Sequence, residues 1–417
     1  ERRLHRTPIS RNRDGGSARH VRRTIVRSRI KRWPDVPFPM SQTPTNALKQ
    51  QKGRKKKKGS MSYMFSHMSP LPKVPIVYSP DYNITFFGLE FLHPFDSQKY
   101  RRVHDRLTAP RRIPRETGFG TLSSLFSMAR LPPLLHHTQF HTPEPPTSTD
   151  LGLTHSKTYL DNLENPTVIA QILEIPFLAL LPISWVRTRV LDPMLLATGG
   201  SKMAAELALA EEWAINLGGG FHHASWGGGG GFCVYADISM AVKHVLEGVP
   251  PEKRVKKVMI IDLDAHQGNG HERDFMHDNR VHILDCFNSR IFPNDTAVLR
   301  AISTSLPVTS YSYETTEPRY VAKVSAALRD AIASFHPDFI LYNAGTDCMR
   351  GDPLGHMMLS ADGIVARDEM VFRMAREVAR CPIVMVLSGG YQRGNAAVIA
   401  KSIENLVGKF DLLRKMA

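Results

Sequence analysis

The sequence predicts an α/β protein in which helices cover both faces of a central parallel β-sheet. Short, near-continuous apolar segments rich in β-branched residues alternate with helical segments between residues 199 and 406. Such strands are typical of parallel sheets, in which both faces are buried. No apolar run predicts a membrane span, because the best candidate, residues 177–186, is about half the required length and contains Pro182.

Hydrophobic periodicity locates the individual elements. We expect strands at residues 76–78, 214–217, 257–263, 281–286, 338–343 and 383–388. We expect helices at residues 199–212, 236–247, 272–278, 320–335, 363–378 and 395–406. Residues 108–150 are rich in Pro, Thr, Ser and Arg, and they predict an irregular insert within a single domain at residues 74–410.

Positive charge is concentrated at the N-terminus. Residues 1–60 contain 19 Lys or Arg and 3 acidic residues, a net charge of +16, so the remainder carries −1 of the chain's +15. This composition predicts a disordered basic tail. Three interpretations of the tail stay open. The run 52–58 is a nuclear import signal or a polyanion contact. Alternatively, the tail is an Arg-rich mitochondrial transit peptide, or it is a non-native extension with the true start at Met61.

The cysteines favour a reducing compartment. None of the four belongs to a CxxC pair, and their spacing does not suggest disulfides; they are Cys233, Cys286, Cys348 and Cys381. Together with the basic run, this pattern leads us to expect a protein of the nucleus, the cytoplasm or both.

Polar or glycine-rich residues follow five of the predicted strands. Because ligands bind beyond the carboxyl ends of parallel strands, these segments predict a ligand site along one rim of the sheet. They are residues 218–223, 262–266, 287–288, 344–347 and 389–391.

The segment after the strand at 257–263 predicts a cation site. Asp262, Asp264 and His266 occupy alternating positions and therefore share one face. An N-capping role before the next helix would account for only one of these acids. Asp264, His266 and Asp347 would give Zn²⁺ three protein ligands and an open position, which is typical of catalytic sites, and the carboxylate-rich set also suits Fe²⁺.

Two adjacent histidines predict acid–base chemistry. His222 and His223 lie on a glycine-rich turn, where one ring could act as general base and then as general acid. Asp262 could orient one ring and Asn269 the other, and such unequal partners would separate the two imidazole pKa values. Tyr391 follows two glycines and could donate a hydrogen bond to a tetrahedral oxyanion.

Together these residues resemble the zinc-dependent histone deacetylase family, and most closely its class IV branch. The resemblance covers roughly residues 74–104 and 154–408, and it is strongest at 75–85, 213–223, 231–233, 261–274, 342–347 and 388–391. It implies an arginase/deacetylase-like α/β fold. It also implies removal of acyl groups from lysine side chains of histones or other proteins, acetyl by default and long-chain fatty acyl for class IV.

The resemblance also implies a role for each site residue. Asp264, His266 and Asp347 match the zinc ligands, His223 matches the general acid/base, and His222, backed by Asp262, is its electrostatic neighbour. Tyr391 matches the carbonyl-polarising residue. The acyl-lysine tunnel and substrate surface would comprise Gly231, Phe232, Phe287, Gly389 and Gly390. Position 269 is Asn, as in class IV, where class I members have Asp, and this exchange would leave His223 less basic.

Two other functions are compatible with the same fold. A non-catalytic interaction protein would be expected to have lost a ligand or a histidine, but all of them are present. A small-molecule amidohydrolase acting on acetylated polyamines would be favoured by an acidic gate at the pocket mouth.

Overall fold

The computed structural model describes residues 71–85, 93–112 and 130–414. The predicted basic tail at 1–60 lies outside these residues. The strands are β1 (Ile76–Val77), β2 (Arg111–Arg112), β3 (Arg130–Leu131), β4 (Trp213–Asn216), β5 (Val258–Asp262), β6 (Val281–Asp285), β7 (Thr304–Ser305), β8 (Phe339–Asn343) and β9 (Ile383–Val386). None of the helices in the described ranges is long and apolar enough to cross a membrane.

Eleven α-helices occur in the described part of the chain. They are α1 (Lys99–Thr108), α2 (Ser148–Thr154), α3 (Lys157–Asn162), α4 (Pro166–Leu173), α5 (Ile183–Val186), α6 (Asp192–Glu211), α7 (Asp237–Lys243), α8 (Asn269–Phe275), α9 (Arg319–Phe335), α10 (Ala361–Arg373) and α11 (Asn395–Lys409). π-Helical turns lie next to α6, α7 and α10, at Arg187–Leu191, His244–Gly248 and Met374–Ala379.

Seven strands form one parallel sheet in the order β1-β4-β9-β8-β5-β6-β7. β2 and β3 form a separate antiparallel pair. Alternate residues of β5 enter two different apolar cores: Met259 and Ile261 pack on one face, and Val258 and Ile260 on the other. Burial on both faces explains why these strands are apolar throughout, and the predicted α/β fold with a parallel sheet is confirmed.

The predicted elements occur in the predicted order, but one boundary differs substantially. Helix α6 begins at Asp192 rather than at residue 199, and Gly199 and Gly200 lie inside it. A Cβ at Gly199 would come within 1.9 Å of the Glu144 carbonyl oxygen, and one at Gly200 within 1.9 Å of the Tyr82 hydroxyl. The two glycines therefore allow other segments to pack closely against the helix, a tertiary reason that periodicity does not reveal.

Part of the predicted insert at 108–150 packs into the domain. Leu135 and Phe140 are buried in the larger core. His141 bonds in register with β1, since its N–H donates to Ile76 O at 2.9 Å and its carbonyl accepts from Tyr78 N at 2.9 Å. At His141 the segment therefore extends the edge of the sheet beside β1. Residues 113–129 of the insert lie outside the described residues.

A buried arginine joins the loops that follow the two central strands. Arg367 on α10 is fully buried and forms an ion pair with Asp368 at 2.8 Å. Its guanidinium donates to Leu263 O at 3.1 Å after β5, and to Gly345 O at 2.6 Å and Ala344 O at 3.2 Å after β8. These carbonyls belong to the segments that carry the predicted metal ligands, so Arg367 ties the two segments together.

Arg367→Met is expected to lower the free energy of unfolding by about 3–5 kcal/mol, because it leaves a buried carboxylate and several carbonyls without their partner. Urea denaturation followed by circular dichroism measures the change. Arg373→Met is the matched control: that guanidinium is 47% exposed, and its loss should cost about 1 kcal/mol or less. Equal denaturation midpoints for the two variants would contradict this account of Arg367.

Candidate active site

The candidate active site lies at the carboxyl ends of the central strands. β4, β9, β8 and β5 are consecutive neighbours in the sheet, so the loops that follow them meet along one rim. The rim carries His222 and His223 after β4, Tyr391 after β9, Asp347 after β8, and Asp264 and His266 after β5. The parallel sheet thus brings together residues that are far apart in sequence.

Asp264, His266 and Asp347 form a compact buried cluster. His266 Nδ1 lies 3.1 Å from Asp264 Oδ1 and 2.8 Å from Asp347 Oδ2. One donor atom from each residue lies within 4.8 Å of the others. Two carboxylates and one imidazole suit Zn²⁺ or Fe²⁺, so the chemistry of the cluster fits the predicted cation.

The charges in this cluster are strongly coupled. Burial and the negative charge of Asp264 raise the pKa of Asp347 to about 7. Burial alone would lower the pKa of His266, but its hydrogen bonds to Asp264 and Asp347 outweigh burial and raise that pKa to about 10. In the absence of a cation, a proton on His266 therefore compensates part of the buried negative charge.

Glycines allow the chain to approach these carboxylates. A Cβ at Gly389 would come within 2.5 Å of Asp264 Oδ2, and one at Gly345 within 2.1 Å. The Gly389 N–H donates to Asp264 Oδ2 at 2.9 Å. Gly390 has a φ of +126°, and a Cβ there would meet Thr346 Oγ1 at 2.2 Å. Gly389 and Gly390, predicted at the substrate surface, leave no room for a side chain where they approach Asp264 and Thr346.

His222 belongs to a hydrogen-bonded chain behind the metal cluster. Its Nδ1 lies 2.9 Å from Asp262 Oδ2, which also lies 2.9 Å from His271 Nε2. Burial would lower the pKa of His222, but the negative charges of Asp262 and Asp264 outweigh burial and raise it to about 9. Asp262 is therefore a partner of His222 and lies outside the Asp264–His266–Asp347 cluster; with His222 and His271 it forms a second buried group whose donor atoms lie within 4.8 Å of one another. The contact of His271 with Asp262 was not predicted. The signal for it is that His271 lies two residues after Asn269, in the segment after β5 that carries the other site residues.

His223 has a different environment from its neighbour. Its Nδ1 lies 2.9 Å from Asn269 Oδ1, and the Asn269 amide nitrogen donates to Asp295 Oδ2 at 3.2 Å. Burial lowers the pKa of His223 well below its ordinary value, and the positive charges of His222 and His266 lower it further. The ring centroids of these two adjacent imidazoles are 4.0 Å apart, yet the pKa of His222 is raised and the pKa of His223 is lowered.

Tyr391 and Phe232 lie on one side of the site. The Tyr391 ring centroid is 6.2 Å from that of His266 and 6.1 Å from that of Phe232. Burial raises the pKa of the Tyr391 phenol well above its ordinary value, and the charges of Asp347 and Asp264 raise it further, so the hydroxyl keeps its proton. Gly231 approaches His223 so closely that a Cβ would lie 2.4 Å from the imidazole Cδ2.

The aromatic residue beside His223 is Phe292, not Phe287. The ring centroids of Phe292 and His223 are 5.0 Å apart, and Phe292 is 48% exposed. Phe287 is 4% exposed and packs in the smaller core, together with Ile283 and Ile302. Phe287, predicted as a tunnel wall, is thus buried in a core, and the ring that contacts His223 belongs to a residue seven positions after the end of β6.

Two cavities adjoin the site, one at Phe232 and one at Tyr391. An apolar cavity of about 640 Å³ begins at Phe232 and His93, and it is lined further by Ile84, Phe95, Leu173, Ile175, Leu178, Val190 and Met194. A cleft of about 550 Å³ that is lined in part by charged residues lies beside Tyr391. Its charged lining residues among those described are Asp96, Arg102 and Arg393. The site thus borders one apolar space and one that is lined in part by charged residues.

The chain is similar to proteins of known family. The histone deacetylase domain family matches residues 93–407. Histone deacetylase 2 of Arabidopsis thaliana is 44% identical over 337 residues, which is 81% of this chain and 79% of that protein. The acetoin utilization protein AcuC of Staphylococcus aureus is 26% identical over 46% of this chain and 50% of its own length.

A solved structure shares the fold. The crystal structure of the HDA15 HD domain superposes with a TM-score of 0.56 and 19% sequence identity, covering 80% of this chain and 88% of that one. The predicted arginase/deacetylase-like architecture is therefore confirmed. With a family match over most of the chain and a relative at 44% identity, this chain belongs to the histone deacetylase family.

Proposed function

We propose that this protein is a metal-dependent hydrolase that removes acyl groups from lysine side chains. One observation carries the proposal: a buried cluster of two carboxylates and one imidazole faces a histidine pair and a tyrosine across a single rim. Membership of the histone deacetylase family supports a deacetylase-type hydrolase. We also propose which acyl group is removed and which metal is bound.

Asp264, His266 and Asp347 would hold the cation, with Zn²⁺ as the first choice and Fe²⁺ as the second. When bound, such a cation polarises the substrate carbonyl and lowers the pKa of water. Ser388 and Gly389 donate to Asp264, and Ala265 N–H donates to Asp347 at 2.8 Å, so both carboxylates are oriented before a cation arrives.

His223 would accept the proton of the attacking water. The Asn269 amide nitrogen is engaged by Asp295, so the Asn269 oxygen faces His223 and accepts from its Nδ1–H. Nε2 of His223 then carries the lone pair. After water adds to the acyl carbon, the same Nε2 would deliver its proton to the lysine nitrogen as the carbon–nitrogen bond breaks, so that a neutral amine leaves. His222 remains protonated beside Asp262 and keeps His223 neutral in the resting state.

Tyr391 would donate its hydroxyl proton in a hydrogen bond to the oxyanion that develops on the acyl carbonyl. Its raised pKa keeps the phenol protonated throughout the neutral range. A neutral donor placed beside developing negative charge lowers the barrier, because its hydrogen bond strengthens as the charge forms.

Phe232 and Phe292 would enclose the aliphatic part of the substrate lysine, since they flank Tyr391 and His223 respectively. The apolar cavity that begins at Phe232 could hold a long acyl chain, because its volume far exceeds that of an acetyl methyl group. We therefore propose long-chain fatty acyl groups, alongside acetyl, as substrates.

The alternatives are less well supported. A polyamine substrate would favour an acidic gate, but the described charged residues lining the cleft beside Tyr391 are two arginines and one aspartate. A non-catalytic platform would not need the ligands, histidines and tyrosine to converge.

We further propose that the chain belongs to the class IV branch, with Asn269 behind His223 as the supporting feature. The proposed substrates are acyl-lysine residues of histones or other proteins. We also propose a nuclear or cytoplasmic location and a polyanion contact through the basic tail at 1–60, which rests on sequence composition.

The purified protein is expected to hydrolyse both acetyl-lysine and myristoyl-lysine peptides, and a chelator should abolish both activities until Zn²⁺ is restored. Product release measured by mass spectrometry tests this. Asp264→Ala should neither bind Zn²⁺ nor turn over either peptide. An absence of metal-dependent turnover on both substrates would refute the proposed function.

Ile175→Trp separates the two acyl classes, because Ile175 lines the apolar cavity and the added ring would occupy part of it. Myristoyl turnover should fall while acetyl turnover is retained. Equal losses on both peptides would show that the cavity is not the acyl site.

Tyr391→Phe and His223→Ala should each lower kcat by about 10²–10⁴-fold, because they remove an oxyanion donor and a general base respectively. Unchanged circular dichroism spectra and Zn²⁺ content serve as controls for folding and metal loading. A rate within a few-fold of the parent enzyme in either variant would contradict the assigned role.

The two histidines should differ in protonation at pH 7 in the metal-free protein. His222, with its pKa raised to about 9, should be doubly protonated. His223, with its pKa lowered, should be neutral with the proton on Nδ1. Nitrogen-15 NMR of histidine-labelled protein, assigned with His222→Gln and His223→Gln, distinguishes these forms. Two neutral or two charged rings would be inconsistent with this geometry.

A further inference from the structure

A lysine lies buried directly behind the candidate metal cluster. Lys99 on α1 is 1% exposed, and it is the one lysine with so little exposure among the residues that the structure describes. It forms no ion pair with any described residue. Its Nζ instead donates to Ser388 O at 2.5 Å and to Gly389 O at 3.0 Å. Lysine is rarely buried in this way, because removing an ammonium group from water is costly.

Two aromatic rings also lie near the Lys99 ammonium group. Its Nζ lies 5.9 Å from the Phe95 ring centroid and 5.7 Å from that of Tyr100. Burial lowers the pKa of Lys99 to about 8, while the charges of Asp96, Asp264 and Asp347 oppose the decrease. Two carbonyl oxygens and the more distant carboxylates therefore stabilise the buried ammonium group.

The two carbonyls that Lys99 contacts belong to residues that also hold a metal ligand. Ser388 Oγ and Gly389 N each lie 2.9 Å from Asp264 Oδ2. Lys99 thus contacts one side of this short segment, and Asp264 accepts from the other side. Tyr391, the proposed oxyanion donor, follows Gly389 by two residues.

The segment has an unfavourable backbone conformation that needs external support. Ser388 has a φ of +45°, in the left-handed region that residues other than glycine adopt at a cost of about 1–2 kcal/mol. Gly390 has a φ of +126°. Thr346 N–H also donates to Gly389 O at 3.1 Å, and Ser388 N–H donates to Gly219 O at 3.1 Å. Lys99 is the charged member of this set of contacts.

We propose that Lys99 is a positioning residue: its ammonium group holds the Ser388–Gly389 carbonyls and thereby aims the Ser388 hydroxyl and the Gly389 N–H at Asp264. The inference rests on the proposed function only in taking Asp264, His266 and Asp347 as the cation ligands. Lys99 itself contacts neither cation nor substrate. It acts through the peptide segment that orients one ligand and leads to Tyr391.

The test measures Zn²⁺ affinity by competition with a chromogenic chelator, without any acyl substrate. Lys99→Met, which keeps the length and removes the donors, should weaken Zn²⁺ binding by about 10–100-fold, as expected for loss of an outer partner of a metal ligand. Lys99→Arg should retain most of the affinity, because the guanidinium also donates to carbonyls. Lys401→Met is the matched control, since Lys401 pairs with Asp362 and is 60% exposed; its Zn²⁺ affinity should be unchanged.

A double variant tests whether Lys99 acts on Asp264 through the Ser388 hydroxyl. If Lys99 acts through Ser388, then Lys99→Met should weaken Zn²⁺ binding less in a Ser388→Ala background than in the parent protein. Additive losses would overturn the route through the Ser388 hydroxyl. In the case where methionine prevents folding, Lys99→Gln, which keeps one amide donor, should show an intermediate affinity.

Wild-type Zn²⁺ affinity in folded Lys99→Met or Lys99→Gln overturns the proposal. Because binding is measured without a peptide, this outcome is distinct from a failure to deacylate, which would overturn the proposed function alone. Steady-state kinetics on a zinc-saturated sample adds a second readout: Lys99→Met should lower kcat more than it raises KM, since Tyr391 lies on the same segment.

Discussion

Buried negative charge at the ends of β5 and β8 is the constraint on which the rest of this site depends. Asp262, Asp264 and Asp347 are each at most 1% exposed. Unpaired carboxylates in such a position would be strongly unfavourable, because burial removes their hydration. The surrounding structure compensates for this charge with imidazoles and peptide N–H groups.

Each compensating group also has a geometric effect. His222 and His271 approach Asp262 from two sides, so this carboxylate is occupied and does not join the metal cluster. Gly389 N–H and the Ser388 hydroxyl orient Asp264. Arg367 and Lys99 bind carbonyls of the loops rather than the carboxylates themselves, and so they hold the loops in place. Charge balance and precise placement are therefore achieved by the same contacts.

The same arrangement gives the two adjacent histidines of the candidate site different pKa values. His222 lies beside two carboxylates and its pKa rises, whereas His223 lies beside a neutral amide and two positively charged rings and its pKa falls. Adjacent residues of one type thereby acquire different protonation states near neutral pH. A carboxylate at position 269 would reduce this difference, which makes Asn269 a determinant of the acid–base properties of the site.

Sequence alone determined the fold class, the order of the elements and most of the site. Periodic apolar strands alternating with helices specify a parallel sheet, and parallel strands place their carboxyl ends along one rim, so Asp264, His266, Asp347, His223 and Tyr391 could be brought together without coordinates. Family membership was recognisable from the same residues.

Only the tertiary structure decided which residues play supporting roles. It placed Phe292 beside His223 and Phe287 in the smaller core, a difference that the spacing from β6 does not reveal. It assigned Gly389 and Gly390 to close packing, and it revealed His271 and Lys99. These roles arise from contacts between segments distant in the chain, such as Lys99 with Gly389. Local periodicity carries no information about such contacts, because they depend on how the packed elements are positioned against one another.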